Sequence, residues 1–93
     1  MSVEYYKPTM KPIRITFHAE QRAKERGASK EEVELAIRNG MQEEAKNGRK
    51  QFRINIEYGK QWLGTTYAIK QVVPVTVDEG NEIVVITVYV FYF

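Results

Sequence analysis

The spacing of apolar residues along this chain changes once, near residue 40, and that change limits the folds open to it. Before it, Val33, Ala36 and Ile37 recur at intervals of three and four, which places them on one face of a helix. After it, "KQFRINIEY" (50–58) alternates. Phe52, Ile54, Ile56 and Tyr58 point one way, and Gln51, Arg53, Asn55 and Glu57 the other. A helical segment followed by a strand segment predicts an α+β domain of two layers.

Local signals divide the two parts further. Thr16 is placed to cap a helix through "HAEQRAKER", with Ala19 and Ala23 inward and Gly27 just past its end, where a left-handed backbone is favoured. "SKEE" sets Ser29 at an N-cap with Glu32 three residues on, a capping box. Arg38 and Gly40 close that second helix. "IRITF" (13–17) predicts a short strand, "MQEEAK" a weak one, and "YGKQW" a hairpin loop. "LGTTYAIKQVVPVTV" predicts a long strand that Pro74 interrupts, bends or places at an edge. After the turn "DEGNE", the run "IVVITVYVFYF" closes the chain, with Val84, Ile86, Val88 and Val90 on one face and Thr87, Tyr89 and Phe91 on the other. The expected architecture is α+β, with two N-terminal helices packed on a three- to four-stranded antiparallel, curved sheet. Residues 13–93 would form one domain, and residues 1–12, with Pro8 and Pro12, an extended lead-in.

Composition narrows the function classes. The chain has 93 residues, enough for one core. Its net charge of +2 permits a polyanionic partner without requiring one. The absence of cysteine excludes a disulfide framework, a thiolate metal site and a cysteine nucleophile. One histidine and no HxxxH pair leave no metal-ligand constellation, and no Gly-rich phosphate loop is present, so no metal and no cofactor are expected. The start lacks the apolar core of a secretory signal, and the run 83–93 is too short to cross a bilayer as a helix. The expectation is therefore a cytoplasmic protein with no membrane partner.

Two surfaces carry chemistry. His18, Arg22 and Arg26 are spaced by four and form a stripe on the first helix. Imidazole exchanges protons near neutral pH and guanidinium grips phosphate bidentately, a pairing suited to metal-free RNA cleavage. The alternative is a solvated face in which Arg22 pairs with Glu25. The second surface is the sheet face bearing Arg53, Thr87 and Tyr89, with Lys70 assigned there only if the pleat continues past Pro74. Such a face can stack bases and bind phosphate; its alternative is an ordinary wet sheet, since Thr and Tyr are good strand formers. Arg49, Lys50 and Arg53 make the densest basic cluster, at a strand entry where basic residues also blunt an exposed edge.

"FHAEQRAKERGASKEEVELAIRNG", then "GRKQFRI" and "IVVITVY", resembles a small bacterial domain-of-unknown-function family. Families of this shape are similar to the RelE, barnase and colicin ribonuclease group, compact α+β toxins that cleave RNA without metal. The resemblance implies a toxin-type, metal-independent ribonuclease-like domain acting on RNA. His18 would transfer protons, Arg22 and Arg53 would clamp phosphate, and Tyr89 would complete the catalytic set. Tyr89 or Lys70 would take the place of a residue that RelE-type members often carry in a C-terminal helix or tail. Arg26, Arg49, Lys50, Lys70 and Thr87 would contact substrate. The alternative is a non-catalytic module binding RNA or protein, or an accessory protein of a mobile element. Partners implied are RNA and an antitoxin or inhibitor protein. A homodimer through the last strand is the further expectation, because Phe91 and Phe93 have no evident cover there, unless Tyr5 and Tyr6 fold back over them.

Overall fold

The computed structural model describes residues 11–93. The expected cover by Tyr5 and Tyr6 lies outside the described residues. Lys11 and Pro12, at the end of the expected lead-in, are tied to the domain: Lys11 Nζ meets the Asp78 carboxylate at 2.8 Å and the Pro12 carbonyl accepts from Ile83 N–H at 2.8 Å.

In chain order the elements are β1 (Ile13–Ile15), α1 (Phe17–Arg26), α2 (Lys30–Asn39), β2 (Met41–Glu44), a single 3-10 turn (Lys46–Gly48), β3 (Lys50–Trp62), β4 (Thr65–Asp78) and β5 (Ile83–Tyr92). The two helices form one layer and the sheet the other. Each helix starts where a side chain takes an orphan amide: Thr16 Oγ1 accepts from Ala19 N–H at 3.1 Å, and Ser29 and Glu32 complete the capping box with two 3.0 Å bonds. Gly27 ends α1 at φ 88°, as its position predicts. Gly40 ends α2 for a different reason. Its φ is an ordinary −81°, but a Cβ there would collide with the Ala36 carbonyl and lie 2.7 Å from that of Arg53.

The sheet departs from the expected three or four antiparallel strands. It has five, in the order β1-β5-β4-β3-β2, and it is mixed, because β1 runs parallel to β5 with Ile13, Ile15 opposite Ile83, Val85. The helix pair links β1, at one edge of the sheet, to β2 at the other. β1 is thereby left beside the last strand instead of the second. Three residues suffice, because Ile13 and Ile15 also pack against the core.

Three features of the long strands differ from the expectation. Pro74 sits in an interior strand, buried, and neither breaks the strand nor marks an edge. The β3–β4 register is the same on both sides of it, with Gln51 opposite Val75 and Ile54 opposite Val72. The hairpin turn is not "YGKQW": β3 continues to Trp62, and Leu63 (φ 51°) with Gly64 (φ 88°) makes a two-residue turn of I′ type. Finally, β5 bulges at Ile86, since Val75 faces Thr87 while Thr76 faces Val85. The extra residue shifts the alternation. Ile83, Val85, Val88 and Val90 all pack toward the helices, and Val84 moves to the other face.

Ala19, Ala23, Val33, Ala36 and Ile37 from the helices meet Phe52, Val72, Ile83, Val85 and Val88 from the sheet. Alanines on α1 let its backbone approach β5 closely, so α1 lies over the last strand and α2 over β3 and β4. One sheet face is thus covered by helices, and the opposite face is open.

Candidate functional site

Strand partners share a face, so the register builds the open face row by row. Thr87, Val75, Gln51 and Glu43 form one row; Tyr89 and Val73 begin the next; Phe91, Gln71 and Asn55 follow. Val73 and Val75 are buried beneath their neighbours, whereas Tyr89 is 45%, Phe91 47% and Phe93 55% exposed.

At one end of this face lies a groove of about 670 Å³. Its floor is Val75, Ile86 and Thr87, and Tyr89 stands at one wall. The other wall is the turn between β2 and β3. Asn47 (φ 61°) and Gly48 (φ 73°) reverse the chain there, and Arg49 N–H closes on the Lys46 carbonyl at 3.2 Å. The reversal brings Lys46 and Arg49 to the groove together. Among the described residues neither has a carboxylate within salt-bridge distance. Glu44, paired with Lys50, and Gln51 line the groove as well. With that carboxylate engaged, the two unpaired cations, the hydroxyl and the exposed ring can hold a phosphate and stack a planar base.

Arg26 joins this end of the molecule from the helix layer. Its guanidinium donates to the Val88 carbonyl at 2.7 Å and lies 5.2 Å from the centroid of the Tyr89 ring. Of the predicted residues, then, Arg49, Thr87 and Tyr89 share one groove, and Arg26 holds the ring that bounds it.

The others stand elsewhere. Arg53 is on the open face as expected, but its Nε and Nη2 clasp Glu43 at 3.0 and 3.1 Å, and Nη1 donates to Gln71 at 2.6 Å. The hydrogen bonds from Arg53 and Gln51 hold the Glu43 carboxyl below its usual value, and Glu43 raises Arg53 in turn. A phosphate would have to displace a bidentate carboxylate to reach this guanidinium. Lys50 pairs with Glu44, and Arg22 with Glu25 at 3.1 Å, the pairing that the solvated-face reading predicts. His18 is exposed in the first turn of α1, on the helix layer, with β4 and β5 between that helix and Arg53 on β3. His18, Arg22 and Arg53 therefore do not converge on one concave patch.

Lys70 is the clearest departure. It lies under the helices, 6% exposed, so the open face does not include it. Its ammonium donates to the Gly27 carbonyl and meets Glu32 Oε1, each at 2.8 Å, with the Tyr58 ring 5.3 Å away. Burial pushes the Glu32 carboxyl up, but the Lys70 and Ser29 hydrogen bonds outweigh it and leave the group below its ordinary value. The Tyr92 hydroxyl donates to the Arg26 carbonyl at 2.7 Å, and its ring stacks on Trp62 at 5.0 Å between centroids. Burial, then the Tyr58 and Glu32 charges, raise that hydroxyl to about 12. Lys70 and Tyr92 thus satisfy the carbonyls at the negative end of α1, a structural duty.

Sequence reasoning overlooked Lys46 and Glu43. "KNG" ahead of Arg49 was the available signal for the first, since Asn-Gly favours a reversal with positive φ. Glu43 gave no local signal, because its partner stands across a strand pair.

A family model described as a domain of unknown function, DUF4258, matches residues 15–90. No curated protein matches, and no solved structure does.

Proposed function

Because the chain belongs to this domain-of-unknown-function family, whose description carries no activity, we propose its function from the open-face groove: it binds single-stranded RNA. The observation that carries the reading is the meeting of Lys46, Arg49, Thr87 and Tyr89 around one cleft. The cations take backbone phosphate, Tyr89 stacks a base, and Thr87 contacts the sugar or base edge. A helix pair preceding an antiparallel meander is the layout of the RelE-type group, which adds support by analogy alone.

Fluorescence anisotropy with a labelled single-stranded RNA at low salt tests it. Affinity should fall with salt, with log K changing by roughly 0.7 per phosphate neutralised. Replacing Lys46 and Arg49 by Gln should flatten that slope. Tyr89→Ala should weaken binding by about 1–3 kcal/mol, the worth of one stacked base. No binding at low salt sinks the proposal.

A second reading, metal-independent cleavage, is favoured by one contact. Arg26 reaches Tyr89 at the groove wall, while His18 shares its helix stripe but stands eight residues back, about 12 Å along the axis. In that case His18→Ala abolishes cleavage, leaves RNA affinity and thermal midpoint nearly unchanged, and wild-type cleavage persists in EDTA. RNA recovered intact after long incubation leaves the binding reading alone.

A further inference from the structure

Among the described residues, no strand covers the outer edge of β5 beyond β1. β1 pairs only with Ile83–Val85, and the chain then turns into α1 at Thr16, whose N–H makes the last bond, to the Val85 carbonyl at 3.1 Å. Past the bulge, Phe93 exchanges both backbone bonds with Ile69 on β4, at 3.0 and 2.7 Å. Alternation along an antiparallel pair then turns the backbone of Phe91 and Tyr89 toward β4 and that of Val88, Val90 and Tyr92 outward. The pairing of Val88 with Pro74, which has no N–H to give, agrees with this. Among the described residues one side chain hydrogen-bonds to the outward backbone row: Arg26, at the Val88 carbonyl. Its guanidinium has no carboxylate partner there.

We propose that this edge, Val88–Tyr92, accepts an added strand from an extended, acidic segment of a partner protein, and that Arg26 guards it. A partner carboxylate draws the guanidinium off the Val88 carbonyl, and that carbonyl takes a partner N–H instead. Tyr89 and Phe91, exposed beside the edge, offer the neighbouring apolar surface on which alternate partner side chains rest. Charge selects the occupant. A second copy pairing β5 with β5 would bring two Arg26 side chains to one seam with no carboxylate between them, whereas an acidic segment supplies the missing charge. The proposal stands independently of RNA binding in the groove.

The test uses the full chain, selected against a random dodecapeptide display library, followed by hydrogen exchange with the best synthetic peptide. The expected peptides are rich in Asp and Glu with alternating apolar residues. The best of them slows exchange of the Val90 and Tyr92 amides at least tenfold. Arg26→Gln should weaken binding at least fivefold. Val90→Pro removes one outward N–H at an edge position where proline is tolerated, so the variant should fold and lose the peptide. Failure to enrich any peptide, enrichment of basic ones, or binding that leaves those amides unprotected overturns the proposal. So does protection that appears with protein concentration alone, which would assign the edge to a second copy, or protection produced by single-stranded RNA.

Discussion

Lys70 shows how a single side chain is decided by partners distant in sequence. A buried ammonium is tolerated only with full hydrogen bonding, and here the Gly27 carbonyl and Glu32 provide it. Lys70→Met should cost about 2–3 kcal/mol, below the value for a fully buried pair because a quarter of the Glu32 side chain stays wet. Urea denaturation measures it. Adding Glu32→Gln should recover part of the loss, since the stranded carboxylate is then gone. Tyr92 yields a pH dependence. Its hydroxyl is raised from 10.0 to about 12 in the fold, so the folded state holds the proton more tightly than the unfolded chain. The stabilisation is fully present below pH 10 and is lost as pH rises toward 12. Thermal midpoints should drop across that window, and Tyr92→Phe should flatten this part of the profile. An equal drop in the Phe variant would show that Tyr92 is not its source.

At the scale of elements, the helices follow from their own ends, while the strands do not. The Thr16 and Ser29 caps and Gly27 are local devices, each closed within five residues, and all three are legible in the sequence. The β3–β4 turn was misplaced because Leu63 is a poor turn former. An L side chain at φ 51° is strained by roughly 1 kcal/mol, and Leu63 is 86% exposed, so packing does not compensate. Leu63→Asn should therefore stabilise the protein by about 0.5–1 kcal/mol, read as a higher denaturation midpoint with an unchanged slope. A lower midpoint would mean that Leu63 makes a contact its exposure does not reveal.

At the scale of the molecule, the β1–β5 pairing joins the two ends of the described chain, Ile13 to Ile83. Such a contact forms only after most of the chain is already in place, because closing a long loop is entropically costly. Ile15→Ala should therefore accelerate unfolding and barely slow refolding, with a total loss of roughly 1–2 kcal/mol. A refolding rate that falls in proportion would place β1 in the folding nucleus. The same remoteness made the mixed sheet illegible: three residues alternate too briefly to name a partner, and nothing local distinguishes β5 from β2. The candidate site was half legible for a related reason. Residue types identified Arg49, Thr87 and Tyr89, but whether a cation is free depends on the carboxylate across the strand. Glu43 and Glu32, which engage Arg53 and Lys70, are visible as partners only once the chain is folded.

The bulge at Ile86 carries a consequence of parity. Count the strand from Ile83 by twos without it, and Val85, Thr87, Tyr89, Phe91 and Phe93 would all face the helices, with Val88, Val90 and Tyr92 turned to water. One surplus residue inverts that assignment for everything downstream. It turns Val88 into the core, Val90 against it and Tyr92 toward the end of α1, and leaves the ring at the groove wall, and the phenylalanines beyond it, outside. Deleting Ile86 would leave every face where it is, because Val85, Thr87 and Val88 would then alternate without a bulge. Keeping Ile86 but drawing it into the ladder would instead exchange the two faces of half a strand, and remove the Tyr92 cap from α1 and the Tyr89 wall from the groove in a single step. Both the stability of the helix layer and the character of the open surface depend on an odd number.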